Sequence, residues 1–187
     1  MDKTSPLGTL ETATVGGGCF WCIEAALREL PGVQEVVSGY AGGKSSDPDY
    51  ESVCDGETGH AEVVQVTYDP RQLQYRTILE AFFTVHDPTT MDRQGADVGS
   101  QYRSIILIHS PDQARVAREI IDELEAEQVF DNPIVTQVEP YTAFHPAEDY
   151  HQRYYERNPG AGYCRAVIAP KLAKFRKAWA KRMEATA

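Results

Sequence analysis

The sequence predicts an α+β sandwich. Three observations carry that expectation. Apolar residues recur at helical spacing in some segments and alternate in others. The two kinds of segment interleave along the chain. Hydrophobic residues make up 42% of the 187 residues, enough for a real core in one ordinary domain.

The elements follow in order. Residues 12–15 read as a short strand, which Gly16-Gly17-Gly18 breaks. From Phe20, the apolar residues Ile23, Ala26, Leu27 and Leu30 fall on one helical face, and Pro31-Gly32 stops that helix. Residues 33–40 form a second strand around Val33, Val36 and Val37. Residues 42–59, rich in Gly, Ser, Asp and Pro, form a connection long enough to suggest a functional loop. Residues 61–68 alternate, with Val64, Val66 and Tyr68 on one face and Glu62 near the start. Asp69-Pro70 ends that strand, and residues 75–85 are a helix with Ile78, Leu79, Phe82 and Phe83 inward. A second long connection covers residues 87–100. Residues 102–108 are a strongly apolar strand. Ser110 as cap and Pro111 at the first helical position begin a helix that runs to about Gln128. A short strand at 134–138 and helices at 147–157 and 172–183 complete the chain, with an apparent strand from Ala166 ahead of the last helix. The central order, strand, helix, strand, strand, helix, strand, is the split βαβ arrangement of ferredoxin-like folds. The expectation is one catalytic domain over 1–187, with residues 1–10 a flexible lead-in.

Charge and composition exclude several function classes. The net charge of −10 argues against nucleic-acid binding, which needs a basic surface. The basic residues Lys171, Lys174, Arg176, Lys177, Lys181 and Arg182 near the C-terminus read as a solvated helix face. No apolar run approaches the roughly 20 residues of a membrane span, and residues 1–10 lack the pattern of a signal peptide. A cytoplasmic monomer is the default. The four cysteines, Cys19, Cys22, Cys54 and Cys164, are then unlike a disulfide framework and stand as packing, metal-binding or catalytic thiols.

Cys19 stands out among them. It follows three glycines at a helix start, where unpaired N–H groups and the helix dipole favour the reactive thiolate. Cys19-Phe20-Trp21-Cys22 is also a C-x-x-C. It is open to a thioredoxin-like dithiol or to a zinc site completed by Cys54 and His60. A phosphate loop ending in Gly43-Lys44-Ser45 is set aside because Ser38 stands where its first glycine belongs. Glu62, beside the turn Thr58-Gly59-His60, acts as an acid at neutral pH if it is buried, although an exposed strand-end glutamate is the simpler reading. Tyr50, Asp97 and Tyr102 lie in or beside the long loops, and each alone reads as a packing, capping or turn residue.

The combination resembles a known family, the A-type peptide methionine sulfoxide reductases. Gly18-Cys19-Phe20-Trp21 is similar to its signature and Gly59-His60-Ala61-Glu62 to its second motif. Residues 94–104, Gln-Gly-Ala-Asp-Val-Gly-Ser-Gln-Tyr-Arg-Ser, and residues 147–152, Ala-Glu-Asp-Tyr-His-Gln, resemble a third and a fourth, all in the family order. The resemblance implies that Cys19 attacks the sulfur of methionine S-sulfoxide and that Phe20 and Trp21 form a pocket for the substrate methyl group. It implies that Glu62 protonates the sulfoxide oxygen, that Tyr50 and Tyr102 donate hydrogen bonds to it, and that Asp97 organises the site. Cys19 would become a sulfenic acid, then a disulfide reduced by thioredoxin. No metal or other cofactor is implied, and His60, His145 and His151 are expected to be structural or surface residues. For the resolving thiol Cys164 is the first choice, in a glycine-flanked segment that could swing. Cys22 and direct reduction by an external thiol are the alternatives.

Overall fold

The computed structural model describes residues 9–184, and their side chains through residue 180. The expectation of a flexible lead-in therefore falls mostly outside the described residues. The side chains of Lys181 and Arg182 lie outside them too. Among the described residues no helix is long and apolar enough to cross a membrane.

The chain forms, in order, β1 (Glu11–Gly16), α1 (Phe20–Leu27), β2 (Val33–Ala41), α2 (Tyr50–Cys54), β3 (Ala61–Tyr68), α3 (Tyr75–Val85), and a small hairpin of β4 (Arg93–Gln94) and β5 (Asp97–Val98). It continues with β6 (Ile105–Ile108), α4 (Pro111–Ala126), β7 (Gln137–Pro140), β8 (Phe144–Pro146), α5 (Tyr154–Arg157) and α6 (Ala169–Glu184). The larger sheet runs β7-β6-β1-β3-β2-β8. Its pairs are antiparallel except β6 with β7. The α+β expectation holds in this form.

Strand parity places the core. In β3, Val64, Val66 and Tyr68 face the main core with Ile23 and Leu27 of α1, Ile78 and Phe82 of α3, and Leu172, Phe175 and Trp179 of α6. Ala61 and Val63 face the other way, into a smaller cluster with Ala41, Ile105 and Leu107. Period-2 alternation thus puts Glu62 on the helix-covered face, the same face as Val64.

β1 approaches β3 closely at its end. A Cβ on Gly16 would stand 2.4 Å from the Glu62 carbonyl oxygen. Only a glycine lets the two backbones close there. The cap at α4 is as expected, with Ser110 Oγ accepting from Gln113 N–H at 3.2 Å and Pro111 following.

Several elements differ from the sequence reading. The loop at 42–59 contains α2, held by a reciprocal cap between Asp49 and Ser52. The strand expected at 102–108 begins at Ile105, behind a 3-10 turn at Ser100–Tyr102. The strand expected at 134–138 is Gln137–Pro140. The helix expected over 147–157 is broken into a 3-10 turn at Asp149–His151 and the short α5, with Arg153 between them in the left-handed region at φ 54. The cause is a side chain that acts as a strand. Gln152 accepts from Ser38 N–H and donates to Ser38 C=O, both at 2.9 Å, and so extends the edge of β2 where a helix would need those residues turned inward. The strand expected from Ala166 is instead a π-helical turn, Cys164–Ile168, running into α6. Pro170 brings no N–H to this continuous helical run, and the wider π-helical turn lies directly ahead of it, where a regular turn would need that donor.

Replacing Gly16 with alanine is expected to destabilise the fold by about 1–3 kcal/mol, the usual cost of overpacking. Urea midpoints check this, and an unchanged midpoint would show that β1 and β3 can separate freely at Glu62.

Candidate active site

The site begins where β1 hands over to α1. Gly18 has φ +90, and a Cβ there would meet the Gln94 side chain at 2.5 Å. Its N–H donates to the carbonyl of Tyr102 at 3.1 Å, which ties the turn to the second long loop. Cys19 follows as the residue just before the helix, with extended rather than helical backbone (φ −57, ψ 123). Its side chain is only 7% exposed.

That burial reverses part of the sequence expectation. Desolvation pushes the Cys19 thiol well up, a larger effect than the pull of the Trp21 N–H in the other direction. A hydrogen bond shared with Cys22 and the nearby Glu62 push it further the same way. In the resting protein Cys19 holds its proton. The same hydrogen bond lowers the pKa of Cys22, which is also buried, against the opposing effect of burial; Lys171 and a hydrogen bond to Tyr163 add to the lowering.

Glu62 is 2% exposed, so the exposed strand-end reading is wrong. Its Oε2 accepts the N–H of Phe20 at 3.0 Å, an orphan donor at the start of α1. Burial pushes this carboxyl up to about 8 despite that bond. At neutral pH it is mostly protonated.

Tyr50 opens α2, and its backbone N–H is held by Glu148 Oε1 at 2.8 Å. Its hydroxyl is hydrogen-bonded to Cys54, and burial pushes Tyr50 up. Tyr102 sits in the 3-10 turn, pushed up by burial and then by Glu62. Both phenols are therefore donors across the neutral range. Asp97, in β5, accepts from Tyr163 Oη at 2.7 Å. Cys19, Phe20, Trp21, Tyr50, Glu62, Asp97, Tyr102 and Tyr163 together line one cavity of about 150 Å³.

Each residue proposed from the sequence as catalytic or substrate-binding therefore meets at this cavity. Tyr163 is the lining residue that sequence reasoning missed. It neighbours Cys164, and the thiol drew the attention that the phenol merited. Cys164 itself is fully buried in the core at the start of the π-helical turn and is not among the lining residues. The first choice of resolving thiol is thus not brought to Cys19, whereas Cys22 is. The zinc alternative does not assemble. His60 Nδ1 accepts from Gly43 N–H at 3.0 Å and Nε2 meets Ser45 C=O at 2.8 Å. Among the described residues no three metal-ligating side chains converge. Cys54, for which packing is the simplest reading, is half-buried against Tyr50.

Comparison with known proteins agrees with the resemblance. Residues 11–183 match the family model described as peptide methionine sulfoxide reductase. The peptide methionine sulfoxide reductase MsrA of Halobacterium salinarum is 58% identical over 178 residues, 95% of this chain and 100% of that protein. The crystal structure of Mxr1 from Saccharomyces cerevisiae in reduced form matches at a TM-score of 0.78 and 36% identity, over 88% of this chain and 95% of that one. Mxr1 in complex with Trx2 matches at a TM-score of 0.56 and 28% identity, over 82% and 89%.

The raised Glu62 carboxyl has a stability signature. In the unfolded chain a glutamate ionises near its ordinary value of about 4.3, while folded Glu62 keeps its proton up to about 8. Between those values the unfolded state sheds a proton that the native state retains. Stability from this group is full below the lower value and drains away as pH rises to the upper one. Glu62→Gln lacks the effect, so its stability relative to the parent is expected to rise across that window and level off above it. Urea midpoints of both proteins over a pH series check this; parallel curves would mean the carboxyl is not perturbed.

Proposed function

This chain belongs to the peptide methionine sulfoxide reductase family, A type, and we propose that it reduces the S epimer of methionine sulfoxide, free or in proteins, by direct attack of Cys19 on the sulfoxide sulfur. The observation that carries the reading is the meeting of a thiol, a protonated carboxyl, two phenol donors and two aromatic walls at one small cavity.

The chemistry follows from what a sulfoxide needs. Its sulfur is electrophilic, but its oxygen leaves only when protonated. Phe20 and Trp21 take the methyl group and exclude water. The oxygen then points to Glu62, Tyr50 and Tyr102. Oε2 of Glu62 is engaged as an acceptor by Phe20 N–H, so the acidic proton resides on Oε1. Glu62 gives that proton to the oxygen as the Cys19 sulfur bonds to the sulfoxide sulfur. The phenols stabilise charge as it develops there. The proton of Cys19 returns Glu62 to its starting state. The substrate S–O bond and the new S–S bond then break as the hydroxyl passes to the Cys19 sulfur, which leaves a sulfenic acid on Cys19 and methionine as the free thioether. Asp97 supports this through Tyr163, whose hydroxyl it fixes.

Cys22 completes the cycle in preference to Cys164. It shares a hydrogen bond with Cys19, and that bond favours its thiolate. Attack by Cys22 on the sulfenic acid forms a Cys19–Cys22 disulfide and releases water. A thioredoxin dithiol then supplies two electrons and two protons to restore both thiols. The match to Mxr1 in complex with Trx2 supports that reductant. The role is repair of oxidised methionine. Separated epimers test the specificity: only the S form is expected to turn over, because the two epimers require different enzymes.

Cys19→Ser is expected to abolish reduction, and near-normal activity in that variant would end this reading. Glu62→Gln is expected to slow sulfenic acid formation, measured in a single turnover, by about 10²–10⁴-fold; a loss under about threefold would remove Glu62 from the role. Cys22→Ser is expected to keep the first turnover and stall thioredoxin-dependent cycling, while Cys164→Ser cycles normally. Mass mapping of the disulfide after one turnover gives the same answer directly, and a Cys19–Cys164 link would overturn the assignment.

A further inference from the structure

The fourth motif, Ala147 to Gln152, has no role in the reaction as derived. Its histidine lies against the site. Trp21 Nε1–H donates to His151 Nδ1 at 3.1 Å. Because Nδ1 accepts, the neutral imidazole carries its proton on Nε2. That nitrogen is buried and makes no hydrogen bond. The facing carboxylate oxygen is Glu148 Oε2, 3.7 Å away. Glu148 is itself fixed at both ends: Oε2 accepts from Tyr40 Oη at 2.8 Å and Oε1 from the backbone N–H of Tyr50 at 2.8 Å. Glu148 immediately precedes the 3-10 turn that ends at His151. Residues three apart eclipse in such a turn, so the carboxylate and the imidazole point the same way.

The imidazole is 1% exposed. Its ring centre stands 5.0 Å from that of Phe20, 5.6 Å from Trp21 and 4.6 Å from Tyr50. It touches both walls of the proposed methyl pocket and one of the two phenol donors. Trp21 has a second restraint, stacking on Tyr154 at 3.7 Å and 7°. A stack fixes the plane of the ring, but because Cβ–Cγ lies in that plane the indole can still take either of two orientations related by a half-turn about that bond. The N–H bond to His151, beside the edge contact with Tyr163 at 5.7 Å, selects between them and so sets which edge of the indole meets the cavity. Burial lowers the pKa of His151, against the opposing effect of Glu148, and so keeps Nδ1 free to accept.

We propose that His151 is a positioning residue for substrate binding: facing Glu148, it selects which way round the Trp21 indole lies on Tyr154 and thereby the shape of the pocket that takes the sulfoxide methyl group. The inference rests on the reductase reading. The methyl group is held alike before and after the oxygen is protonated, so the effect belongs to binding rather than to the chemical step.

The test has two arms. In the first, nitrogen-labelled protein shows the indole N–H signals of its two tryptophans, and Trp21→Phe assigns that of Trp21. The Trp21 signal is expected to move upfield and exchange faster in His151→Leu. It should stay in place in His151→Asn, whose amide oxygen lies near the former Nδ1. This arm needs no turnover, so it succeeds or fails independently of the reductase reading. In the second arm, with N-acetyl-methionine S-sulfoxide, His151→Leu is expected to raise KM about five- to tenfold, the value of one neutral hydrogen bond. kcat should stay within about twofold and His151→Asn should restore KM. In a Trp21→Phe background the same His151→Leu change is expected to add less than about twofold, because the bond is already gone. An unmoved indole signal in His151→Leu, or an equal KM rise in both backgrounds, would overturn the proposal. If His151→Leu does not fold, His151→Asn decides it alone: a displaced indole signal or a KM raised fivefold in that protein sinks the idea.

Discussion

The bond from Phe20 N–H to Glu62 Oε2, 3.0 Å long, joins the first turn of α1 to the first turn of β3. The rest of the site depends on it. It spends an orphan helix donor on a buried carboxyl that would otherwise have no backbone partner at that end. It is possible only because Gly16 lets β1 press against β3 and Gly18 turns the chain into α1 within three residues. The carboxyl is thus held beside Cys19 by the same turn that presents the thiol. Burial does the chemical tuning and the hydrogen bond does the aiming, and the two effects act on the proton in opposite directions.

Much of this was legible in the sequence, for physical reasons that differ from residue to residue. The Ser110-Pro111 cap and the interior faces of α1 and α3 follow from local rules and appear where expected. The parity of β3 already set Glu62 on the face of Val64. Its burial was not legible, because a strand's first residues are covered only if another element arrives above them, here the start of α1. The helix expected over 147–157 failed for a related reason. Gln152 pairs with Ser38, a residue 114 positions away, and no local pattern records such a contact. Tyr163 was hidden by its neighbour: a thiol attracts chemical attention, while a phenol looks like packing until the cavity is seen.

The two sulfurs at the start of α1 also change what the C-terminal segment has to do. A distant resolving thiol needs a segment that can travel, and ordering such a segment costs conformational entropy in each cycle. Here Cys164 lies in the core instead, and the chain continues into α6, whose Leu172, Phe175 and Trp179 are all buried. The segment from Cys164 onward is therefore free to serve as structure. It packs against α1, which follows directly on the reacting thiol, and against α3.

Cys19 is buried and keeps its proton. Peroxides react with exposed thiolates and slowly with shielded thiols. A buried, protonated Cys19 is by the same logic a poor target for small oxidants while the cavity is empty. On the proposed mechanism, a sulfoxide entering it brings the electrophile, the acceptor for the Glu62 proton and the exclusion of water together. On that mechanism, discrimination between sulfoxide and hydrogen peroxide would follow from the resting protonation state of Cys19.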